Sequence, residues 1–267
     1  APTESGWSKL FGGLESHDKT SVVSELNFSS ECGWHRIEGL NWIIITYAPD
    51  KYGILEANHS HHDLCSFVAY YNGKPMIVDV GRLDYTNSPT SRYGKSARSH
   101  NTIIIDEIEP TAEVLGWMLP AYAKLSAEVH VKRDQKHVKI SIDHDGFKRI
   151  TLNTISHKRE MIIFADSLEI IDTINGKGAH STQLCFQFAP GTSFQEQSPN
   201  EWRDNNKGIN FSTDDSSSVQ CIAADEASDY GWTFPSYGVK ESALSIKIDN
   251  LVDLPAQLRN KITMGSF

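Results

Sequence analysis

The stretch "NHSHHDLCSFVAYYNGKPMIVDVG" (residues 58–81) gathers His59, His61, His62 and Asp63 at the start of a hydrophobic run. Neutral imidazole and carboxylate are the donors of mixed zinc sites, and both also move protons in general acid–base chemistry. In an extended chain, residues two apart point to one side at a spacing of about 6.5–7 Å. His59, His61 and Asp63 are therefore expected on one face, with His62 on the other. His61, Asp79 from "VDVG" and His100 from "SHNT" offer a His/Asp/His ligand set. Two readings stay open on the residues alone: a metal or substrate site, and a polar loop whose histidines are satisfied by hydrogen bonds. With 11 histidines in the chain, an H-x-H spacing also arises easily by chance.

The elements that must position these residues read as strands. Short runs rich in Val, Ile, Phe, Tyr and Thr recur, many alternating, with polar, Gly or Asn clusters between them. Residues 21–28, 41–48, 64–71, 75–80, 101–106, 123–131, 136–143 and 147–156 fit this pattern. So do 159–166, 167–174, 180–188, 208–213, 218–224 and 242–248. Asn-Gly in "YNGKP" (71–75) predicts a hairpin between 64–71 and 75–80, and "DHDGF" (143–147) and "INGKG" (174–178) read as further turns. Residues 82–100 read as a long polar loop, which in a compact domain is usually functional or disordered. The expected fold is all-β, an antiparallel multi-sheet β-sandwich, with a leader at 1–20, the β domain at 21–255 and a C-terminal tail at 256–267.

A chain of 267 residues with 39% hydrophobic residues is long enough for one large β domain. The net charge of -9 argues against nucleic acid as a partner, and means that an acidic polysaccharide would need a locally basic cleft. No run approaches the roughly 18 apolar residues of a membrane span. Four scattered cysteines (Cys32, Cys65, Cys185, Cys221) suit neither a disulfide framework nor a thiolate zinc site, and Cys65 and Cys185 read as buried thiols. The N-terminus lacks the pattern of a signal peptide, so the expectation is a removed signal or a segment cut from a larger protein.

Residues 58–107 resemble the signature of the heparinase II/III-like polysaccharide lyases. The shared features are H-x-H-x-D, S-F, N-G-x-P, V-D-x-G, Tyr85, Arg92-Tyr93, and H-N-T followed by a strand and Asp106. Weaker likeness runs through "HDGFKR" and "HKREMIIFADSLEIIDTINGKGAH" to about residue 191. The resemblance implies the C-terminal β-sandwich of a lyase that cleaves uronic-acid-containing acidic polysaccharide, such as a glycosaminoglycan or alginate, by β-elimination. It implies His59 as the catalytic cleft histidine and a structural zinc held by His61, Asp79 and His100, with Asp63 as a hydrogen-bond partner behind the ligands. Tyr85, Arg92 and Lys95 match substrate-cleft positions. It further implies a bacterial periplasmic or secreted protein and, as partner, an N-terminal helical toroid of the same parent that supplies a catalytic Tyr, because the strands here include no such helices. A second reading is a non-catalytic glycan-binding or scaffold module in polysaccharide assembly.

Departures from the signature bear on substrate. Asn58 replaces a Gly, His62 an Ala, Val80 a Pro and Lys95 an Arg. Lysine keeps the charge but loses the bidentate fork that suits carboxylate or sulfate. Asn58-His59-Ser60 is also a glycosylation sequon, and a sugar there would block the cleft.

Overall fold

The computed structural model describes residues 33–49, 61–111, 126–148, 155–214 and 218–265. β1 (Trp34–Gly39) and β2 (Trp42–Tyr47) form a hairpin whose turn residues Leu40 and Asn41 both have positive φ. β1 is not among the strands expected from sequence: "WHRIEG" lacks apolar alternation, and only Ile37 is buried. β3 (Phe67–Tyr71) and β4 (Lys74–Ile77) are joined by Asn72-Gly73, again both at positive φ, as the Asn-Gly signal predicts. The segment read as a loop, 82–100, instead contains a helix, Pro89–Lys95, and a 3-10 turn, Ala97–Ser99. Ser88 caps the helix by accepting from the Ser91 amide, and Pro89 opens it.

β5 (Ile103–Ile105) follows, then β6 (Ala127–Arg133), β7 (Val138–His144) and β8 (Ser156–Ile163) as an antiparallel meander. β9 (Ser167–Phe188) is one strand running through "INGKG", where the sequence predicts a turn. Gly176 and Gly178, at φ 158° and 94°, bend the strand there but do not reverse it. β10 (Gln195–Ser198), β11 (Glu201–Asp204), β12 (Ile209–Thr213) and β13 (Ser218–Ala223) precede a small hairpin of β14 (Trp232–Ser236) and β15 (Val239–Ser242). β16 (Leu244–Met264) closes the described chain, so residues 256–264, read from sequence as a tail, lie in a central strand.

β9 and β16 pair along nearly their whole length, from Leu244↔Phe188 to Thr263↔Ser167, with a register shift between Leu254 and Ala256 opposite the bend. This folded ladder serves two layers. Its Ser167–Ile174 half carries β8, β7 and β6 on one side and β12, β11 and β10 on the other. Its Ser181–Phe188 half carries β5, β4, β3, β2 and β1, with β13 on the β16 side. The result is an antiparallel β-sandwich. Among the described residues, helix is confined to the segment before β5, and no helix is long and apolar enough to cross a membrane.

Alternation delivers the core. β2, β7 and β8 each bury every second residue. Phe67 packs on Phe186, and Phe186 on Phe211 from the other layer. All three are essentially buried, each contributing about 2–3 kcal/mol of transfer free energy. A second, small core of Val80, Tyr93 and Phe234 clamps the β14–β15 hairpin to the helix and to the chain after β4.

Candidate functional site

The scaffold of the site is a polar hub inside the sandwich. Period-2 burial in β8 places His157 and Arg159 on the same inward face as Met161 and Ile163. Arg159 is fully buried, and its Nε and Nη2 donate to the two carboxylate oxygens of Asp172 at 2.7 and 3.0 Å. Burial alone would raise the Asp172 pKa. Arg159 and the His157 hydrogen bond outweigh it and hold the group well below the usual carboxylate range. Arg159 Nη1 reaches across the layers to the carbonyls of Cys65 and Asn101, at 3.0 and 2.5 Å.

Asn101, the middle residue of the H-N-T motif, uses every polar group it has. Its Nδ2 donates to the Phe67 and Val78 carbonyls, both at 2.8 Å, and its Oδ1 accepts the Gln187 amide at 2.7 Å. Its own amide donates to Ser66 Oγ. Thr102 Oγ1 adds a bond to the Leu64 carbonyl at 2.6 Å. Segments 64–67, 78 and 100–102 are thereby tied into one unit, with Arg159 beneath it. From sequence Asn101 stands only as part of H-N-T with no role assigned, and Arg159 is not singled out; its signal is a charged residue on the apolar face of an alternating run.

On this unit sit His61, Asp63, Asp79 and His100. His100 is buried; its Nδ1 donates to Asp79 Oδ1 at 2.7 Å, and Asp79 Oδ2 accepts the Gly81 amide at 2.9 Å. His100 Nε2 is buried with no partner among the described residues. The His61 ring lies 5.2 Å, centroid to centroid, from that of His100. Burial, with the neighbouring His100, pushes the His61 pKa down to about 3, so its imidazole is neutral at pH 7. Burial disfavours the His100 imidazolium too, but Asp79 more than offsets this and the pKa rises to about 8. Asp79 is also subject to burial, yet His100 and the Gly81 amide bring it down to about 2. Burial lifts Asp63 to about 6, with the Asp79 charge adding to the shift. The charges of Arg82 and Lys95 also act on His61, alongside the carboxylate of Asp79.

His61 and Asp63 lie in irregular chain before β3, so the strand alternation expected from 59 to 63 does not hold over the described part, 61–63. Cys65, at φ 59°, turns the chain just before the strand begins. His59 lies outside the described residues. His62 faces Thr111, bonded to its Oγ1 at 2.6 Å, while its amide donates to the Lys95 carbonyl. Lys95 ends the helix next to His61. Arg92 instead returns to its own loop, its Nη1 donating to the Asn87 carbonyl at 2.7 Å. Tyr85 is 58% exposed on the loop before the helix.

A second group lies deeper. Cys65, His144 and His157 present ligand atoms within 4.8 Å of one another, close enough that the group could hold a metal. Their ring nitrogens are engaged in a directed chain: the Gly146 amide donates to His144 Nδ1, His144 Nε2 meets His157 Nδ1 at 2.7 Å, and His157 Nε2 meets Asp172 Oδ1 at 2.8 Å. Burial pushes the Cys65 thiol pKa up, which disfavours the thiolate a metal needs. Cys185 is likewise a buried thiol, whereas Cys221 is exposed.

The sequence matches the family model described as "Heparinase II/III-like, C-terminal" over residues 23–260. No curated protein sequence matches it. Among solved structures, a heparinase III, the BT4657 gene product, superposes with a TM-score of 0.66 at 14% identity, covering 96% of this chain and 39% of that one. The heparan sulfate lyase HepC from Pedobacter heparinus gives 0.68 at 11% identity, covering 98% and 41%. Another heparinase III gives 0.64 at 15% identity, covering 88% and 36%. At these identities the likeness is one of fold, and the chain spans 36–41% of the length of these relatives.

Proposed function

The chain belongs to the heparinase II/III-like C-terminal domain family, and from that premise we propose that it is the β-sandwich part of a polysaccharide lyase. Its substrate is a uronic-acid-containing acidic polysaccharide, cleaved by β-elimination. The observation that carries this reading is the meeting of a neutral imidazole, His61, with the Asp79–His100 pair and the cations Arg82 and Lys95 in an acidic protein.

β-Elimination removes the C5 proton of a uronate, which lies α to the carboxylate and is acidic only when that charge is neutralised. In this proposal Arg82 and Lys95 supply positive potential for the carboxylate, and His59 faces the sugar from the segment leading into His61. Tyr85 and Arg92 would line the same cleft. The Tyr that protonates the leaving oxygen is assigned to a helical toroid of the same parent, and the protein to the bacterial periplasm or exterior.

A zinc ion would be held by the neutral His61 and by the buried Nε2 of His100, which has no partner among the described residues. Asp79, expected from sequence as a direct ligand, then acts behind His100 through Nδ1, and Asp63 lies close by. When bound, the ion would supply rigidity at His61, two residues after His59.

The test is turnover of heparan sulfate, hyaluronan and alginate by the parent protein, followed through the ultraviolet absorbance of the unsaturated uronate product. Loss of that signal in His59→Ala with folding intact supports the reading; unchanged turnover sinks it. The net charge of -9 and the Lys95 departure favour one alternative, a non-catalytic glycan-binding or scaffold module. It predicts glycan binding without any unsaturated product.

A further inference from the structure

Three of the six large apolar side chains exposed among the described residues, Tyr85, Tyr237 and Val239, lie on two segments that the fold brings together. Tyr237 is the tip of the β14–β15 hairpin and is 68% exposed; Tyr85 is 58% exposed. Their rings lie 6.0 Å apart and within 25° of parallel. The Arg82 guanidinium sits over the Tyr85 ring, 4.2 Å from its centroid.

The arrangement is held from below. The Phe234 amide donates to the Val80 carbonyl at 2.6 Å, the Gly238 amide to the Leu83 carbonyl at 2.7 Å, and Thr233 Oγ1 to the Asp79 carbonyl at 3.1 Å. The small core of Val80, Tyr93 and Phe234 lies beneath these bonds. The hairpin thus runs alongside the chain from Asp79 to Leu83, starting next to His100 and ending next to Tyr85. Tyr85 lies six positions after Asp79, a reach of at most about 22 Å, within the span of a short oligosaccharide.

We propose that Tyr85, Tyr237 and Arg82 form a sugar-binding subsite that takes a pyranose ring bearing a carboxylate or sulfate, one or more units along the chain from the ring at His61 and His100. The C–H face of a pyranose is apolar and flat enough to lie on aromatic rings. Tyrosine gives that surface at low entropic cost and keeps a hydroxyl for the sugar rim. Arg82 adds the charge an anionic sugar needs, and it also acts on His61, which joins the two places into one field. Because the hairpin is fastened at three points before any ligand arrives, binding orders little further backbone. The proposal rests on the reading of the chain as a handler of acidic glycan.

The experiment is isothermal titration of the chain with heparan sulfate, hyaluronan and cello-tetrasaccharides, with thermal melting of each variant as the folding control. The acidic tetrasaccharides should bind more tightly than the neutral one. Tyr237→Ala and Tyr85→Ala should each weaken binding about tenfold, the value of roughly one aromatic contact, with melting unchanged. Tyr237→Trp should retain affinity, and Arg82→Gln should erase the preference for the acidic sugars. Unchanged affinity in Tyr237→Ala, or no binding of any tetrasaccharide by the chain, overturns the proposal. So does loss of the binding in the parent protein, which would mean that another domain covers the tyrosines. Lyase turnover with an unaltered KM in Tyr237→Ala would remove the subsite and leave the lyase reading standing. Tyr237-dependent binding without turnover would do the reverse.

Discussion

His100 donates from Nδ1 to Asp79 at 2.7 Å, and this one bond leaves its Nε2 buried and unpartnered among the described residues. A buried polar atom in that state costs on the order of 1–3 kcal/mol, and a cation at Nε2 removes the cost. His61, neutral and 5.2 Å away ring to ring, is the natural second donor.

Metal analysis follows directly from that pair. The purified chain is expected to carry one zinc, lost in His61→Ala and in His100→Ala. Asp79→Asn should weaken retention about 10–100-fold without abolishing it, as for a carboxylate behind a ligating imidazole. His59→Ala should keep the metal. Elemental analysis with chelator-dependent melting decides; a zinc-free protein whose melting ignores chelation would end the proposal.

Asn101 is expected to be among the most sensitive positions in the protein. Asn101→Ala strands the Phe67 and Val78 carbonyls and the Gln187 amide, at about 1–3 kcal/mol for each buried group left unpaired. Asn101→Asp keeps the acceptor for Gln187 but has no donor for the two carbonyls, so it should also destabilise. Urea denaturation of both variants measures this, and a loss under about 1 kcal/mol would show that the segments hold without the staple.

Asp172 sets an acid limit on stability. It stays ionised in the folded protein far below the pH near 3.9 at which an unfolded Asp protonates. Its contribution is therefore complete above about pH 4 and is lost as pH falls further, by up to about 1.4 kcal/mol per pH unit, because only the unfolded chain takes up the proton. Asp172→Asn should lose about 3–5 kcal/mol at pH 7, where Arg159 is left buried without its counter-charge. It should also show a shallower decline below pH 4 than the parent. Equal acid slopes in the two proteins would contradict this.

Gly81 sits at φ 73°, and an added Cβ would lie 2.3 Å from the Phe234 carbonyl oxygen. Gly81→Ala should thus lift the β14–β15 hairpin from its seat, at a cost of about 1–3 kcal/mol. Faster amide exchange at Phe234 and Gly238 is the expected signature, together with the same loss of tetrasaccharide affinity as Tyr237→Ala. Unchanged exchange would mean that the hairpin is held elsewhere.

Much of the fold was legible along the chain because its causes are local. Alternating burial in β2, β7 and β8 is written in residues two apart, and Asn72-Gly73 supplies the positive φ of its turn from its own chemistry. Of the site, the family resemblance named His61, Asp79 and His100, and the structure shows His100 bonded to Asp79 with the His61 ring 5.2 Å from that of His100. What the tertiary structure decided were matters settled by partners far away in sequence. "INGKG" has the composition of a turn, yet it continues as strand because β16 pairs with β9 on both sides of it. His61 does not follow strand alternation, because Arg159, 94 residues beyond Cys65, and Thr102 hold the following segment by the Cys65 and Leu64 carbonyls. Arg159 carries its charge on the buried face of β8, and only the facing Asp172 makes a buried guanidinium tolerable. Tyr85 and Tyr237 could be paired only by a hairpin that docks on residues 79–83, because an aromatic surface arises from the meeting of two segments and is a property of neither alone.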